Sequence, residues 1–391
     1  MIRSILDTDL YKFSTSYAYF KLYPYAEGTF KFNDRNKEDW RGTDFLERMQ
    51  QAIAQLGLLH LTYEEADWCA SAIPYIPRNY WEWLLSFRFT NNSLKMWLDE
   101  DGVFQCEVTD LMYKVTLWEI AILATYAKIR NSMKMPSIDI HKVENIINEK
   151  IKFANVNNLP FSEFGTRRRF SNNVHEVILS RIKAKSNTCQ GTSNVYYAMR
   201  LGMKPIGTFP HEWVMFHAAT FGYKRANYLS LEDWIDVYDG NLGTALIDTY
   251  TTKSFLHTLT RKQAHLLSGF RQDSGDEFMV GNMIIKRLQE FGIDPKSKLI
   301  VFSNALTMEK YKEIYDYFNG RIKVSAGIGT NLTCDIGVEG FKPANIVMKL
   351  SKCRISDKDP WEKCIKISDD AGKHMGDEYE FEIAQYELYL S

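Results

Sequence analysis

Leu299-Ile300-Val301-Phe302, helical spacing from Thr307 to Phe318, a closing Gly320 and then Ile322-Lys323-Val324 make one strand–helix–strand unit. Four consecutive apolar residues suit a strand covered on both faces, and a glycine just past the helix suits its terminal turn. The unit recurs. Strand candidates lie at Thr244–Leu246–Ile247, at Leu266–Leu267–Ser268–Gly269–Phe270 and at Ile346–Val347–Met348, and a further helical stretch, Gly281 to Phe291, is closed by Gly292 and followed by Pro295. Strands alternating with helices from about residue 160 predict an α/β parallel barrel or sheet. Chemically rich residues follow these strands: Asp248, Arg271 and Asp273, Ser303 and Asn304, and the loop Gly327-Ile328-Gly329-Thr330-Asn331. That end of the strands carries the site in α/β barrels.

Upstream the rhythm differs. Helix-like runs (Thr43 to Leu56, Tyr63 to Ala72, Asn79 to Phe87) mix with strand-like alternation at Gly28 to Asn33 and Val103 to Thr109. The mixture predicts an α+β domain over residues 1–135. Pro136 marks the crossing into a catalytic α/β barrel domain, residues 136–351, which opens with helical spacing from Ile138 to Asn155. The polar tail, residues 352–391, carries Trp361 and aromatics from Tyr379 to Tyr389 and is expected to pack nearby, on the barrel or a partner.

A net charge of −1 argues against a nucleic-acid coat or a binder of anionic membranes. Nine Trp, 22 Tyr and 23 Phe point to large aromatic cores and a subunit interface. The six cysteines are scattered, with no C-x-x-C pair and no histidine at metal-ligand spacing, as expected for reduced thiols in a cytoplasmic enzyme. Asp7, Asp9 and Lys12 interrupt the N-terminal apolar residues, so no signal-peptide core is expected. Val115 to Ile129 is too short to span a bilayer and reads as a buried helix.

Five strings carry chemistry. The glycines of Gly327-Ile328-Gly329-Thr330-Asn331 let backbone N–H groups approach phosphate, although a Gly-x-Gly turn is commonplace and does not make a dinucleotide fingerprint. In Arg271-Gln272-Asp273-Ser274-Gly275-Asp276, a guanidinium fork for a carboxylate or phosphate stands two residues from a carboxylate suited to ribose hydroxyls or Mg²⁺; a salt-bridged strand end is the plainer alternative. His211, within Gly207-Thr208-Phe209-Pro210-His211-Glu212-Trp213, reads as a loop histidine with Glu212 or Asp248 to orient its ring. No Ser or Cys occupies a nucleophile elbow, so His211 is the better nucleophile candidate. Phe164-Gly165-Thr166-Arg167-Arg168-Arg169 places an aromatic face beside a basic cluster at a helix start, and Gly191-Thr192-Ser193-Asn194 adds small hydroxyl donors.

These strings, in this order, resemble the bacterial type of nicotinate phosphoribosyltransferase, a type II phosphoribosyltransferase family. Asp7-Thr8-Asp9-Leu10-Tyr11-Lys12 is similar to that family's opening, and Tyr80 to Phe89 also fits. The resemblance implies an irregular α/β barrel with an N-terminal α+β domain, working as a homodimer with shared active sites. It implies transfer of phosphoribosyl from phosphoribosyl pyrophosphate to nicotinate, giving nicotinate mononucleotide and pyrophosphate in NAD salvage, with ATP as co-substrate and Mg²⁺. By the same resemblance Phe164 and a partner subunit's Tyr11 stack on the ring. Arg271, Ser193 and Thr208 take the carboxylate, Asp273 holds the ribose hydroxyls, and Arg167, Gly329 and Thr330 hold phosphate. His211 is phosphorylated, with Asp248 fixing its tautomer.

Ser193 separates close relatives: nicotinamide-using enzymes place an acidic residue there, which would repel a carboxylate. Gln272 and Asn304 depart from the usual His and Asp of bacterial relatives. The rival readings are a nicotinamide phosphoribosyltransferase, an α/β-barrel hydrolase using Asp273 and Asp276, and an RNA binder using Arg167 to Arg169.

Overall fold

The computed structural model describes residues 2–135, 137–370, 373–374 and 376–389. Pro136, read from the sequence as a crossing, lies outside them. Two compact units interleave along the chain. Met1–Tyr17, Thr29–Ile206 and Ile328–Lys349 form one; Ala18–Gly28, Gly207–Gly327 and Leu350–Ser391 form the other.

In the first unit, strand β1 (Glu27–Asp34) buries Phe30 and Phe32 and exposes Lys31 between them, the period-2 alternation of a sheet covered on one face. Strands β2 (Lys95–Leu98) and β3 (Phe104–Leu111) pair antiparallel, with Met96 opposite Cys106. The helix Phe45–Leu56 buries Phe45, Met49, Ala52, Ile53 and Leu56, one face at helical spacing. Phe45 meets Tyr126 edge-on, ring centroids 5.0 Å apart. Tyr126 belongs to the helix Trp118–Lys134, which is buried on nearly every side through Asn131, in line with the reading of Val115 to Ile129. A second, parallel pair, β4 (Phe161–Glu163) and β5 (Cys189–Thr192), supplies the strand ends that carry Phe164 and Ser193.

The second unit holds four parallel strands: β6 (Thr244–Leu246), β7 (Gly269–Gln272), β8 (Leu299–Phe302) and β9 (Lys323–Ile328), in spatial order β9-β8-β7-β6. The helices between them start where the sequence provides caps: Asp276 accepts from Met279 N–H and Thr307 from Lys310 N–H. Gly269 stands opposite Leu299, and a Cβ there would lie 2.3 Å from the Leu299 carbonyl oxygen. Because that neighbour is backbone in a paired strand, Gly269→Ala is expected to cost about 1–3 kcal/mol or more. It should lower the urea midpoint without changing the slope; an unchanged midpoint would contradict this spacing.

Two expectations are corrected. Leu266 ends a short helix, Arg261–Leu266, because Thr260 and Gln263 form a capping box; the strand begins only at Gly269. Ile346 to Met348 opens β10 (Ile346–Arg354), which lies beside β1 in the sheet that holds β2 and β3, not among the parallel strands. A short apolar run shows that a strand exists, but its ladder partner decides which sheet it joins. Among the described residues no helix is long and apolar enough to cross a membrane.

Candidate active site

In the second unit the C-terminal ends of β6, β7 and β8 bring Asp248, Arg271, Asp273 and Ser303 together, with Thr208 and His211 beside them. Arg271, on β7, donates to Ser303 Oγ at 2.9 Å, to Thr208 Oγ1 at 2.8 Å and to Asp273 Oδ1 at 3.1 Å. Three anchors on three segments fix the guanidinium plane, which a flexible arginine cannot do for itself. Ser303 Oγ also lies 2.9 Å from Asp273 Oδ1. The Arg271–Asp273 contact is the salt-bridged strand end weighed earlier, and it leaves Asp273 27% exposed. Burial pushes the Asp273 carboxyl upward, but the Arg271 guanidinium, with the Lys366 ammonium nearby, outweighs it and holds the group well below the usual carboxylate range. Asp273 is therefore an anion at neutral pH.

His211 is not a loop residue. It opens the helix His211–Phe221, following Pro210, and is 8% exposed. Its Nδ1 lies 3.0 Å from Thr249 Oγ1; its Nε2 lies 2.9 Å from Lys366 Nζ, 3.4 Å from Asp273 Oδ2 and 4.0 Å from Asp248 Oδ1. The orienting hydrogen bond sought from Asp248 is thus made by its neighbour Thr249. Burial and the Lys366 ammonium pull the imidazole down to about 4, against the opposing pull of Asp248 and Asp273. The positive end of the helix acts in the same direction. At neutral pH the ring is neutral and one nitrogen offers a lone pair.

Asp248 is wholly buried; Oδ2 accepts from Ser274 Oγ, while Oδ1 has no hydrogen-bond partner. Ligand atoms of His211, Asp248 and Asp273 lie within 4.8 Å of one another, which invites a metal. They do not fit a resident Mg²⁺. That ion takes octahedral oxygen ligands and keeps several waters, whereas the Lys366 ammonium already sits 2.9 Å from His211 Nε2 and 3.6 Å from Asp248 Oδ2.

Three described residues of the tail bond to segments beside this cluster. Asp369 accepts from Thr252 N–H and Oγ1, Asp370 accepts from Gly275 N–H, and Lys373 donates to the Asp273 carbonyl and to Asn304 Oδ1 at 2.7 Å each. Asn304 therefore has a structural contact, and Gln272 spans its own turn by donating to the Ser274 and Gly275 carbonyls.

In the first unit the backbone N–H of Phe164 donates to the Ile328 carbonyl, and a Cβ on Gly329 would lie 3.3 Å from the Phe164 carbonyl oxygen. The Phe164 and Gly329–Thr330 segments are thus neighbours. Ser193 Oγ donates to Asp9 Oδ1 at 2.6 Å, and both are buried. Burial raises the Asp9 carboxyl; Ser193 and Thr166 hydrogen bonds oppose that, and Glu163 adds to it. The environment of Ser193 therefore includes a carboxyl that the sequence argument on Ser193 alone left out. Tyr11 is half-buried, with Lys12 Nζ 5.0 Å from its ring centre.

The arginine string is corrected: Thr166–Arg168 is a 3₁₀ turn, and Arg169 is wholly buried against Asp7 in a two-pronged ion pair of 2.7 and 2.9 Å. Arg167 belongs to the turn and is half-buried. A three-arginine surface for RNA does not exist. Asp276 caps the helix Glu277–Glu290, which removes it as the second carboxylate of a hydrolase.

Sequence reasoning missed Thr249, Lys366 and Lys373. Lys366 lies 155 residues from His211, beyond any local pattern. One signal was present: it interrupts the buried apolar residues Cys364, Ile365 and Ile367, and a lysine buried there needs a partner.

Parallel strand ends that carry a fixed guanidinium and an ionised carboxylate, beside a neutral imidazole at a helix start, have the groups of an α/β enzyme suited to anionic ligands. The chain belongs to the nicotinate phosphoribosyltransferase family. The family pattern matches residues 159–389 and that of its N-terminal domain residues 6–126. A nicotinate phosphoribosyltransferase of Chromohalobacter salexigens is 37% identical over 393 residues, covering 100% of this chain and 99% of the relative. One of Desulforapulum autotrophicum is also 37% identical, covering 97% of each. The crystal structure of nicotinate phosphoribosyltransferase from Porphyromonas gingivalis superposes with a TM-score of 0.97 at 43% identity over the whole of both chains. That from Vibrio cholerae has a TM-score of 0.93 at 29% identity, covering 100% of this chain and 94% of the other.

Proposed function

We propose that this chain is a nicotinate phosphoribosyltransferase, moving phosphoribosyl from phosphoribosyl pyrophosphate to the ring nitrogen of nicotinate, with ATP spent through a phosphohistidine at His211. The supporting observation is the anchored Arg271 beside Asp273 and a neutral His211, in a chain similar over its whole length to enzymes of that name. The pyridine nitrogen is unprotonated at neutral pH, so no general base is needed. Its lone pair attacks ribose C1 as the bond from C1 to the pyrophosphate oxygen breaks and pyrophosphate leaves with the electron pair. The protein's work is alignment and charge stabilisation.

In this reading Arg271, with Thr208 and Ser193, takes the nicotinate carboxylate. Asp273 faces the developing positive charge on the ribose, and Arg167, Gly329 and Thr330 hold phosphate. Mg²⁺ belongs to the polyphosphates of the substrates, since the His211 cluster does not suit it. The reading includes a homodimer in which Tyr11 of the second copy stacks on the nicotinate ring opposite Phe164.

The deciding assay offers nicotinate or nicotinamide with the ribosyl donor, with and without ATP. Preference for the amide would sink the Ser193 argument. Tyr11→Ala is expected to raise the KM for nicotinate about tenfold, the equivalent of about 1.4 kcal/mol, with circular dichroism unchanged. An unchanged KM would remove Tyr11 from the site.

A further inference from the structure

Lys366 reaches His211 from a segment stitched to the one that carries Thr249. Ile367 N–H donates to the Thr249 carbonyl and Thr251 N–H to the Ile367 carbonyl, both at 3.0 Å, and the Tyr250 hydroxyl donates to the Ile365 carbonyl at 2.9 Å. The two ring nitrogens of His211 are therefore gripped from adjacent, mutually hydrogen-bonded segments: Nδ1 by Thr249 at 3.0 Å and Nε2 by Lys366 at 2.9 Å. An ammonium can only donate. The nitrogen it touches must present its lone pair; Asp273 Oδ2, at 3.4 Å, and Asp248 Oδ1, at 4.0 Å, face the same nitrogen from farther away, so the nearer ammonium assigns the proton to Nδ1, where Thr249 Oγ1 accepts it. Lys366 is itself 5% exposed and has the Asp248 carboxylate 3.6 Å away as its counter-charge.

We propose that Lys366 is a further residue of the phosphoryl-transfer step: it selects Nε2 of His211 as the acceptor and then becomes the counter-ion of the phosphoryl group placed there. This rests on the reading of His211 as the phosphorylated residue. The Nε2 lone pair forms the N–P bond to the γ-phosphorus of ATP. The bond from that phosphorus to the β,γ-bridging oxygen breaks, and ADP leaves with the electron pair. The ring proton stays on Nδ1. As the N–P bond forms, Lys366 gives up Nε2 and donates to a phosphoryl oxygen, a short displacement on a four-carbon stem. When water later attacks the phosphorus, the N–P electron pair returns to Nε2 and the lysine returns with it. The arrangement uses one cation to hold the nucleophile neutral before transfer and to stabilise the charge after it.

The test uses the full chain. With γ-labelled ATP, the unaltered protein should take label at His211 and His211→Ala should take none. Lys366→Met should slow the initial rate of labelling about 100-fold, and Lys366→Arg, which keeps the charge, should recover most of it. Nitrogen NMR of His211 in the unaltered protein should show a protonated, pyrrole-type Nδ1 and a pyridine-type Nε2, a readout independent of whether Lys366→Met folds. Labelling at the normal rate in Lys366→Met, or the opposite tautomer, overturns the proposal. No label in the unaltered protein, or equal label in His211→Ala, overturns instead the phosphohistidine reading on which it rests.

Discussion

His211→Ala should abolish ATP hydrolysis and phosphoryl labelling while leaving some ATP-independent phosphoribosyl transfer. Alanine supplies no nucleophile, so the loss in the ATP partial reaction should be at least about 10³-fold. The transfer step itself uses the substrate's own ring nitrogen and keeps Arg271 and Asp273, whose mutual contact and bonds to Thr208 and Ser303 do not involve His211. Radiolabel release and product formation measured on one preparation separate the two. Unchanged ATP coupling in this variant would remove His211 from the reaction.

The same residue gives a pH dependence with a defined sign. Burial and Lys366 bring the His211 imidazole from its ordinary 6.5 down to about 4, while Asp248 and Asp273 pull the other way. Above about pH 6.5 the folded and unfolded chains both carry a neutral ring, and the residue makes no difference to stability. Between about 6.5 and 4 only the unfolded chain takes up the proton, so stability falls with falling pH. The total is about 3 kcal/mol at about 1.4 kcal/mol for each pH unit. ATP coupling itself should survive down to about pH 5, since the folded ring stays neutral there.

The second large effect concerns Asp7 and Arg169. Asp7 is 1% exposed and Arg169 also 1%. Besides the two-pronged guanidinium contact, Asp7 accepts from Asn172 Nδ2 at 2.8 Å and from Asn194 Nδ2 at 2.9 Å, and Asn194 also caps the helix Val195–Leu201. Removing one partner leaves the other as an uncompensated buried charge, so Asp7→Ala or Arg169→Met is expected to cost about 3–5 kcal/mol. A double-mutant cycle by urea unfolding should show that the pair together costs much less than the sum of the singles; simple additivity would contradict the coupling. Burial pushes Asp7 upward, but Arg169 and then Asn194 outweigh it and hold the carboxyl below its ordinary 3.8. Its contribution is present above about that pH and is lost as pH falls through the lower folded value. Acid should therefore act in two windows, the imidazole first and this carboxylate later.

Both residues lie in strings that drew attention for other reasons, and they show how far a sequence carries. The arginine run was read as one surface, yet its last member points inward, because a 3₁₀ turn over Thr166–Arg168 redirects the chain. Asp276, plausible as an acid beside Asp273, is consumed by capping. Ile346 to Met348 looks like its parallel neighbours and pairs elsewhere.

The alternation of apolar runs with capped helices determined the parallel α/β class, since side-chain period and terminal hydrogen-bond donors are local properties. It also determined which residues stand at the strand ends, Asp248, Arg271, Asp273 and Ser303, because a strand's exit is read from the strand itself. Only tertiary structure decided what those groups touch. Thr249 takes Nδ1 of His211, Lys366 arrives from 155 residues away to take Nε2, and Asp9 underlies Ser193. Hydrogen bonds and charge depend on separations of a few ångströms between atoms distant in the chain, and no periodicity in the sequence encodes them.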